Sequence, residues 1–162
     1  MTKEKVSENV EIEDKVQDIS AFLPGAFEDT KKMELAISPR FRDKDGIPIK
    51  FKFESVSSER ITALRKECTR RMTSSRNRQV GETFDSEKFQ ARLALESTVY
   101  PDFTNKDLLK AYNTVSATEL AQKILSVPGD YTEWINAAAA VNGFDESFDS
   151  NDEDFYKEEA KN

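Results

Sequence analysis

Residues 33–54 have the sequence MELAISPRFRDKDGIPIKFKFE, in which two alternating apolar stretches flank one turn. An Asp-Gly pair between such stretches predicts a β-hairpin, and an odd-numbered loop, Lys44-Asp45-Gly46, keeps both apolar sets on one face. Gly46 supplies the left-handed residue of that loop. Pro39 and Pro48 lack backbone donors and are expected at an edge of the hairpin. The alternating apolar residues are Leu35, Ile37, Phe41, Ile47, Ile49, Phe51 and Phe53.

The first helix is predicted directly after this hairpin, with Ser57 or Ser58 as its N-cap. Its apolar stripe, at helical spacing, consists of Ile61, Leu64, Cys68 and Met72. The stretch from Thr73 to Thr83 is polar, basic and broken by Gly81, and we predict a mobile loop there.

Four more helices are predicted from caps and breakers. The second begins at a cap at Asp85, runs through Val99 and stops before Pro101, and Thr104 opens the third. Ser116 and Glu119 form a capping box for the fourth, and the fifth follows Pro128-Gly129 and ends at Gly143. The short connections make these helices sequential neighbours. The predicted fold class is therefore α+β, mainly α, with an N-terminal β-hairpin packed on a small bundle of about five helices.

The composition excludes most enzyme classes. The 162 residues suit one domain and contain no histidine, one cysteine (Cys68) and five glycines. Histidine-based catalysis, cysteine-rich zinc sites and glycine-rich phosphate loops are therefore excluded, and no metal or cofactor site is predicted. Cys68 lies on an apolar stripe, and we expect a core residue rather than a nucleophile. No apolar run approaches the ~20 residues of a membrane span.

The net charge of −7 is unevenly distributed. Residues 1–31 carry four basic and eight acidic side chains, and residues 145–162 carry two basic and eight acidic ones. We predict an acidic N-terminal segment (1–30) with one short amphipathic helix, a single globular domain (31–144; hairpin 33–54, helices from about 57 to 142) and an acidic disordered tail (145–162). The tail either improves solubility or shields a basic surface.

One window is strongly basic. Between Ser57 and Val80 seven basic side chains face only two acidic ones, Glu59 and Glu67. Such a surface can hold phosphates or dock an acidic segment, including this chain's own tail. No aromatic residue is interleaved in this window, so base stacking has no platform there and nucleic-acid binding is not favoured. The basic residues are Arg60, Arg65, Lys66, Arg70, Arg71, Arg76 and Arg78.

The N-terminal segment carries an apolar stripe that ends at Pro24-Gly25. It either packs back on the domain or docks on another copy or another protein. Its members are Ile12, Val16, Ile19, Phe22 and Leu23.

The order of several short motifs resembles a known family more closely than any single motif does. The motifs follow the Asp45-Gly46 turn in the sequence: Arg65-Lys66-Glu67-Cys68-Thr69, Val99-Tyr100-Pro101-Asp102, Leu-Leu-Lys-Ala-Tyr at 108–112, Pro128-Gly129-Asp130-Tyr131 and Val141-Asn142-Gly143-Phe144. Over roughly residues 30–145 this order resembles the tail assembly chaperones of long-tailed phages and prophages of Gram-positive bacteria, the XkdN-like branch.

The resemblance implies a non-enzymatic role in the host bacterial cytoplasm. Members of the family coat the tape measure protein, a long helical protein, keep it soluble, help to recruit tail tube (major tail) subunits and leave before the virion is finished. We therefore expect the client to lie near Tyr131, Trp134 and Ile135 in the helical bundle, and the stripe at 12–23 to link copies into oligomers along the client.

Two other functions stay open at this point. One is a small nucleic-acid-associated regulator that uses the basic 60–78 segment, and its binding would depend strongly on salt. The other is a structural tail or connector subunit that stays in the virion.

Overall fold

A computed structural model describes residues 17–76 and 78–144 of the chain. Its helices and strands confirm the α+β class. After a 3₁₀ turn at Ser20–Phe22 come β1 (Lys32–Leu35), β2 (Phe51–Glu54), α1 (Ser58–Glu67), β3 (Thr69–Thr73), β4 (Gln79–Phe84), α2 (Ser86–Ser97), β5 (Thr98–Tyr100), α3 (Lys106–Ala111), α4 (Ala117–Ile124) and α5 (Pro128–Val141).

The predicted N-terminal hairpin forms, with a short paired region and a long connection. β1 and β2 pair antiparallel from Lys32 opposite Glu54 to Leu35 opposite Phe51. At the far end the predicted three-residue turn is confirmed, since the Asp43 amide donates to the Ile47 carbonyl at 2.9 Å and Gly46 has a φ of 76°.

The pairing of the hairpin is interrupted between the ladder and the turn. Between the paired region and the single bridge of Arg42 with Pro48, one side of the hairpin has more residues than the other, so the excess loops out around Pro39. Proline cannot donate to a ladder, which explains why pairing stops there. Ile37 still reaches the core from this loop.

A third strand joins the sheet where the sequence predicted helix. α2 ends at Ser97 rather than at Val99, and β5 pairs antiparallel with β2, giving the order β1-β2-β5. Thr98, Val99 and Tyr100 are β-branched or aromatic, and such residues favour a strand once a neighbouring strand is available.

The predicted mobile loop is also wrong, because residues 69–84 form a second antiparallel hairpin. β3 pairs with β4 from Thr69 opposite Phe84 to Thr73 opposite Gln79. α1 ends at Glu67, so Met72 lies on β3, where it is 56% exposed instead of continuing the apolar stripe of the helix. We call β3, β4 and their turn, residues 69–84, the basic hairpin.

The predicted N-caps of α1, α2 and α4 are confirmed. The side-chain oxygens of Ser57, Asp85 and Ser116 accept the amides of the residues three positions on, at 3.2, 3.0 and 3.3 Å respectively. The capping box at α4 is only half formed, because the Glu119 carboxylate accepts from Thr114 Oγ1 at 2.7 Å instead of from the Ser116 amide.

The ends of α3 and α5 follow the same local chemistry. α3 is capped by Asn105, whose side chain accepts from two amides, and not by Thr104, which bonds to Asp102. α5 ends as predicted at Gly143, with a φ of 82°. The next residue, Phe144, donates its amide to the Ala139 carbonyl at 2.8 Å, which completes a Schellman motif.

Trp134 lies at the centre of the main core, between the three-stranded sheet and helices α2, α4 and α5. Its side chain is completely buried, its Nε1 donates to Thr98 Oγ1 at 2.8 Å, and the ring of Phe103 lies 5.4 Å away. The buried members of the main core are Ile37, Phe51, Phe53, Ala94, Phe103, Leu120, Ala121, Leu125, Trp134, Ala137, Ala138 and Val141.

A second, smaller cluster joins α1 to α2. Its buried members are Leu64, Cys68, Phe89 and Leu93, and Val56, Ile61 and Phe144 pack at its edge. We call it the α1–α2 cluster. Cys68 therefore occupies the core position that the sequence predicted, at 1% exposure.

Candidate protein-interaction surfaces

The N-terminal segment exposes large apolar side chains to solvent. Ile19 is 66% exposed and Phe22 79%, with Leu23 and Phe27 about half exposed. The described part of the stripe forms a 3₁₀ turn at Ser20–Phe22, and the start of the predicted short amphipathic helix lies outside the described residues. Because Ile19 and Phe22 are not covered by the domain, this segment has apolar surface available for another molecule. Ile12 and Val16 lie outside the described residues.

The start of this turn is fixed by one carboxylate. Asp18 accepts from the amide and the hydroxyl of Ser20, both at 2.9 Å. These hydrogen bonds lower the pKa of Asp18 below its ordinary value, so the carboxylate is ionised at neutral pH and holds the turn together.

A groove of about 610 Å³ runs between α2, α4 and α5. Tyr131 and Ile135, one helical turn apart on α5, form its half-buried apolar wall. Trp134 lies behind them in the main core and is completely buried, which corrects the prediction that it contacts a partner. The full lining is Asp85, Glu87, Lys88, Gln90, Ala91, Thr118, Gln122, Tyr131 and Ile135.

The Tyr131 hydroxyl gives this wall a polar edge. Burial raises the pKa of Tyr131 above its ordinary value, a hydrogen bond with Gln122 acts in the opposite direction, and the charge of Glu87 adds to the increase. The hydroxyl therefore stays protonated at neutral pH. The groove thus combines an apolar wall with a polar rim, as surfaces that receive an amphipathic helix do.

A second groove, of about 570 Å³, lies between α3 and α4. Val115, in the turn between these helices, is 98% exposed, and Leu109, Lys106 and Lys110 lie beside it. Sequence periodicity did not predict this surface, because one valine in a short turn belongs to no repeating pattern. The left-handed Asn113 at the end of α3, with a φ of 53°, sets the direction of the turn.

The seven basic residues singled out in the sequence fall into two groups. Arg60 forms ion pairs with Glu96 at 2.6 Å and with Glu67 at 3.1 Å, so its charge is compensated. These hydrogen bonds raise the pKa of Arg60 above its ordinary value. The guanidinium of Arg65 lies over the Phe89 ring, 5.7 Å from its centroid.

The other group belongs to the exposed surface around the basic hairpin. Arg70 and Arg71 lie on β3, and Arg76 and Arg78 lie in the connection between β3 and β4. These four side chains and Lys66 are exposed, and none forms an ion pair within residues 17–76 and 78–144. The predicted basic patch is thus brought together in part, on a hairpin instead of a helix and loop.

Membrane spans and metal-binding clusters are both missing from the described part of the chain. Across its two ranges, no helix is long and apolar enough to span a bilayer. Within the same ranges, no three His, Cys, Asp or Glu side chains are grouped so that they could hold a metal ion.

Comparison with known proteins identifies the family. The family model described as "Phage XkdN-like tail assembly chaperone protein, TAC" matches residues 19–160. Two Bacillus subtilis (strain 168) proteins are each 41% identical: "Uncharacterized protein YqbN" over 140 residues (86% of this chain, 93% of YqbN) and "Phage-like element PBSX protein XkdN" over 147 residues (91% and 95%).

A solved structure agrees with these matches. The crystal structure of YqbN aligns with a TM-score of 0.69 at 41% identity, covering 81% of this chain and all of that one. The resemblance found in the sequence is therefore confirmed, and the chain belongs to the XkdN-like phage tail assembly chaperone family.

Proposed function

We propose that this chain binds the tape measure protein of its phage in the host cytoplasm, keeps it soluble while the tail is built, and leaves before the virion is complete. The observation that carries the proposal is the family match over residues 19–160, since that family acts in tail assembly. The chain works by binding alone, and it has a second partner in the tail tube protein, whose subunits it helps to recruit.

The proposed client surface is the groove between α2, α4 and α5. Its wall offers Tyr131 and Ile135 at a spacing that matches the apolar stripe of an incoming helix. Glu87 and Lys88 on the rim provide one charge of each sign for polar residues at the edge of such a stripe. A shallow groove with few apolar contacts gives weak binding, which suits a chaperone that must release its client.

Weak sites become effective when many copies act on one long client. The proposed link between neighbouring copies is the N-terminal apolar segment, which consists of Ile12, Val16, Ile19, Phe22 and Leu23. Among its described members Phe22 is the most exposed. In this arrangement the groove contacts the client and the N-terminal apolar segment contacts the next chaperone. Client binding and self-association can therefore be tested separately.

Binding through the groove is tested by co-purification with a tagged tape measure protein from the same phage genome. Ile135→Gln removes half of the apolar wall, and Gln90→Arg places a long cation at an exposed lining position, away from the core. Glu133→Gln is the matched control, because it changes the net charge by the same amount as Gln90→Arg at an exposed position of α5 outside the groove lining.

We expect both groove variants to bind the client about tenfold more weakly, a loss of about 1.4 kcal/mol, and the control to bind normally. Melting temperatures of all three variants establish that they are folded. Normal client binding by folded Gln90→Arg and Ile135→Gln would rule out this groove as the client site.

The link between copies is tested separately by sedimentation. Phe22→Asp places a charge on an exposed apolar side chain, so folding should be unaffected while oligomers dissociate toward monomers. An unchanged oligomer distribution would show that the N-terminal apolar segment does not join copies.

Release from the particle distinguishes a chaperone from a structural tail or connector subunit. Mass spectrometry of purified virions should detect the tail tube protein and not this chain. Recovery of the chain at a stoichiometry similar to that of other tail proteins would favour the structural alternative.

A further inference from the structure

The basic hairpin is exposed on both faces. Every residue of β4 is exposed, and so are all residues of β3 after Thr69. Its apolar side chains are exposed too: Met72 is 56%, Val80 69% and Phe84 46% exposed. These exposed apolar side chains leave room for a second surface to pack against the hairpin.

The hairpin is also cationic on both faces. Adjacent residues of a strand point to opposite sides, so Arg70 and Arg71 lie on different faces, and Arg76 and Arg78 extend the positive charge to the turn. Within residues 69–84 these four arginines face a single acid, Glu82. The ligand that fits this surface is therefore an extended acidic peptide with some apolar side chains.

The last described residue, Phe144, lies near the end of the hairpin where β4 leads into α2. Phe144 packs on the α1–α2 cluster, which contains Phe89, and the Phe89 ring lies 5.5 Å from that of Phe84, the last residue of β4. Asn142 fixes the exit point, because its side chain accepts from the Val56 amide at 2.8 Å and donates to Ser97 Oγ at 2.8 Å. The described residues therefore end on the side of the domain that carries the hairpin.

The sequence that follows has the composition such a surface requires. Residues 145–162 carry eight acidic and two basic side chains, with Phe148, Phe155 and Tyr156 between them. The acidic run from Asp149 to Asp154 begins only a few residues beyond Phe144. At about 3.3–3.6 Å per extended residue, this run can reach along a strand of about 20 Å.

We propose that the C-terminal segment 145–162 docks on the basic hairpin of the same chain. The carboxylates of 149–154 pair with the arginines of the hairpin, and the aromatic residues of the segment cover its exposed apolar side chains. Another anion that binds the hairpin therefore competes with this segment.

A nucleic acid fits the same hairpin less well. Arg60 is already paired with Glu96 and Glu67, and Arg65 covers Phe89, so two cations of the window are occupied. A phosphate backbone would also have to approach past the covalently attached acidic segment, which is present at high effective concentration.

The contact is tested by paramagnetic relaxation enhancement in the full chain. A nitroxide is attached to the variant Ser150→Cys, and the unaltered chain treated with the same reagent shows whether the buried Cys68 takes up label. We expect the amide signals of 69–73 and 79–84 to lose more than half of their intensity at low salt. They should recover as NaCl rises from about 0.05 M to about 0.5 M, because the shorter Debye length screens the contact.

Matched charge reversals identify the surface. Arg76→Glu with Arg78→Glu should abolish the signal loss, whereas Lys106→Glu with Lys110→Glu, an equal charge change at exposed positions of α3, should leave it unchanged. A uniform loss, no loss, or equal effects of the two reversals would overturn the proposal.

Two more samples exclude other occupants. Mixing isotope-labelled chain without nitroxide and unlabelled chain with nitroxide should leave the hairpin signals unchanged. Loss of the hairpin signals in this mixture would mean docking between copies and would contradict the intramolecular contact. A DNA duplex that binds the full chain through Arg76 and Arg78, with no effect from the nitroxide on the hairpin, would also overturn it.

Discussion

The main core and the basic hairpin use apolar residues in opposite ways. In the main core, Trp134 and its neighbours are buried between a sheet and three helices. In the basic hairpin, Met72, Val80 and Phe84 remain open to solvent beside arginines that form no ion pair within the described ranges. The first arrangement provides the free energy of folding, whereas the second offers a surface that another segment can cover. The difference indicates that the fold depends on the main core, whereas the apolar side chains of the hairpin are free to contact another segment.

The α1–α2 cluster lies between these extremes. It has four buried members, fewer than the main core, and it connects α1 and the hairpin to α2. It carries the ion-pair network of Arg60, Glu67, Glu96 and Arg92 on its outer side. The following substitutions test whether the loss in the free energy of unfolding is largest in the main core, smaller in the α1–α2 cluster and smallest in the basic hairpin.

Trp134→Ala should have the largest effect. The substitution leaves a large cavity and removes the Nε1 hydrogen bond to Thr98, so the free energy of unfolding should fall by about 3–5 kcal/mol. Urea denaturation followed by circular dichroism measures the change. A loss below about 1 kcal/mol would mean that the ring is not the centre of the core.

Leu64→Ala should lower the free energy of unfolding less, by about 2–3 kcal/mol, because the small α1–α2 cluster can relax around the cavity. Hydrogen exchange should show that the destabilisation is local: amides of α1 and β3 become less protected, while the protection of amides in α5 changes little. Equal loss of protection in both regions would show that the cluster is not a separate unit.

Glu67→Gln should make the stability of the protein decrease less when the pH is lowered into the acid range. The hydrogen bond from Arg60 lowers the pKa of Glu67 and the charges of Arg92 and Arg60 act in the same direction, with desolvation opposing them. A lowered folded-state pKa stabilises the protein above the ordinary value of 4.5, and this contribution disappears as the pH falls through the lowered value.

We therefore expect the wild-type chain to be more stable than Glu67→Gln at neutral pH and the difference to shrink below pH 4.5, measured by thermal melting at a series of pH values. Glu59→Gln, at an exposed position of the same helix, is the control and should leave the profile unchanged. Parallel profiles for the wild type and Glu67→Gln would contradict the role of the Arg60 pair.

Arg76→Ala with Arg78→Ala should have the smallest effect on folding, within about 0.5 kcal/mol, because both side chains are exposed and unpaired in the described part of the chain. Urea denaturation under the conditions used for Trp134→Ala provides the comparison. A loss similar to that of Leu64→Ala would show that these arginines support the fold instead of forming a surface.

Local chemistry allowed the sequence to predict caps and turns. The turn at Gly46, the N-caps Ser57 and Asp85, and the left-handed Gly143 each depend on neighbours within a few residues, and all are confirmed. The resemblance to the chaperone family was equally accessible, since it rests on the order of short motifs.

Features that depend on distant contacts were missed. Met72 follows Cys68 at helical spacing, so periodicity extended α1 through residues that pair with β4. Thr98 to Tyr100 become a strand only because β2 lies beside them. For Trp134, periodicity identified the face of α5 and could not tell that the sheet covers it.

The most direct test of chaperone function is the solubility of the tape measure protein when the two proteins are expressed together. We predict that the client remains in the supernatant after centrifugation with the wild-type chain and sediments without it, and that Gln90→Arg shifts it toward the pellet while Glu133→Gln does not. Equal amounts of soluble client with and without the wild-type chain would contradict the proposal that this chain is its chaperone.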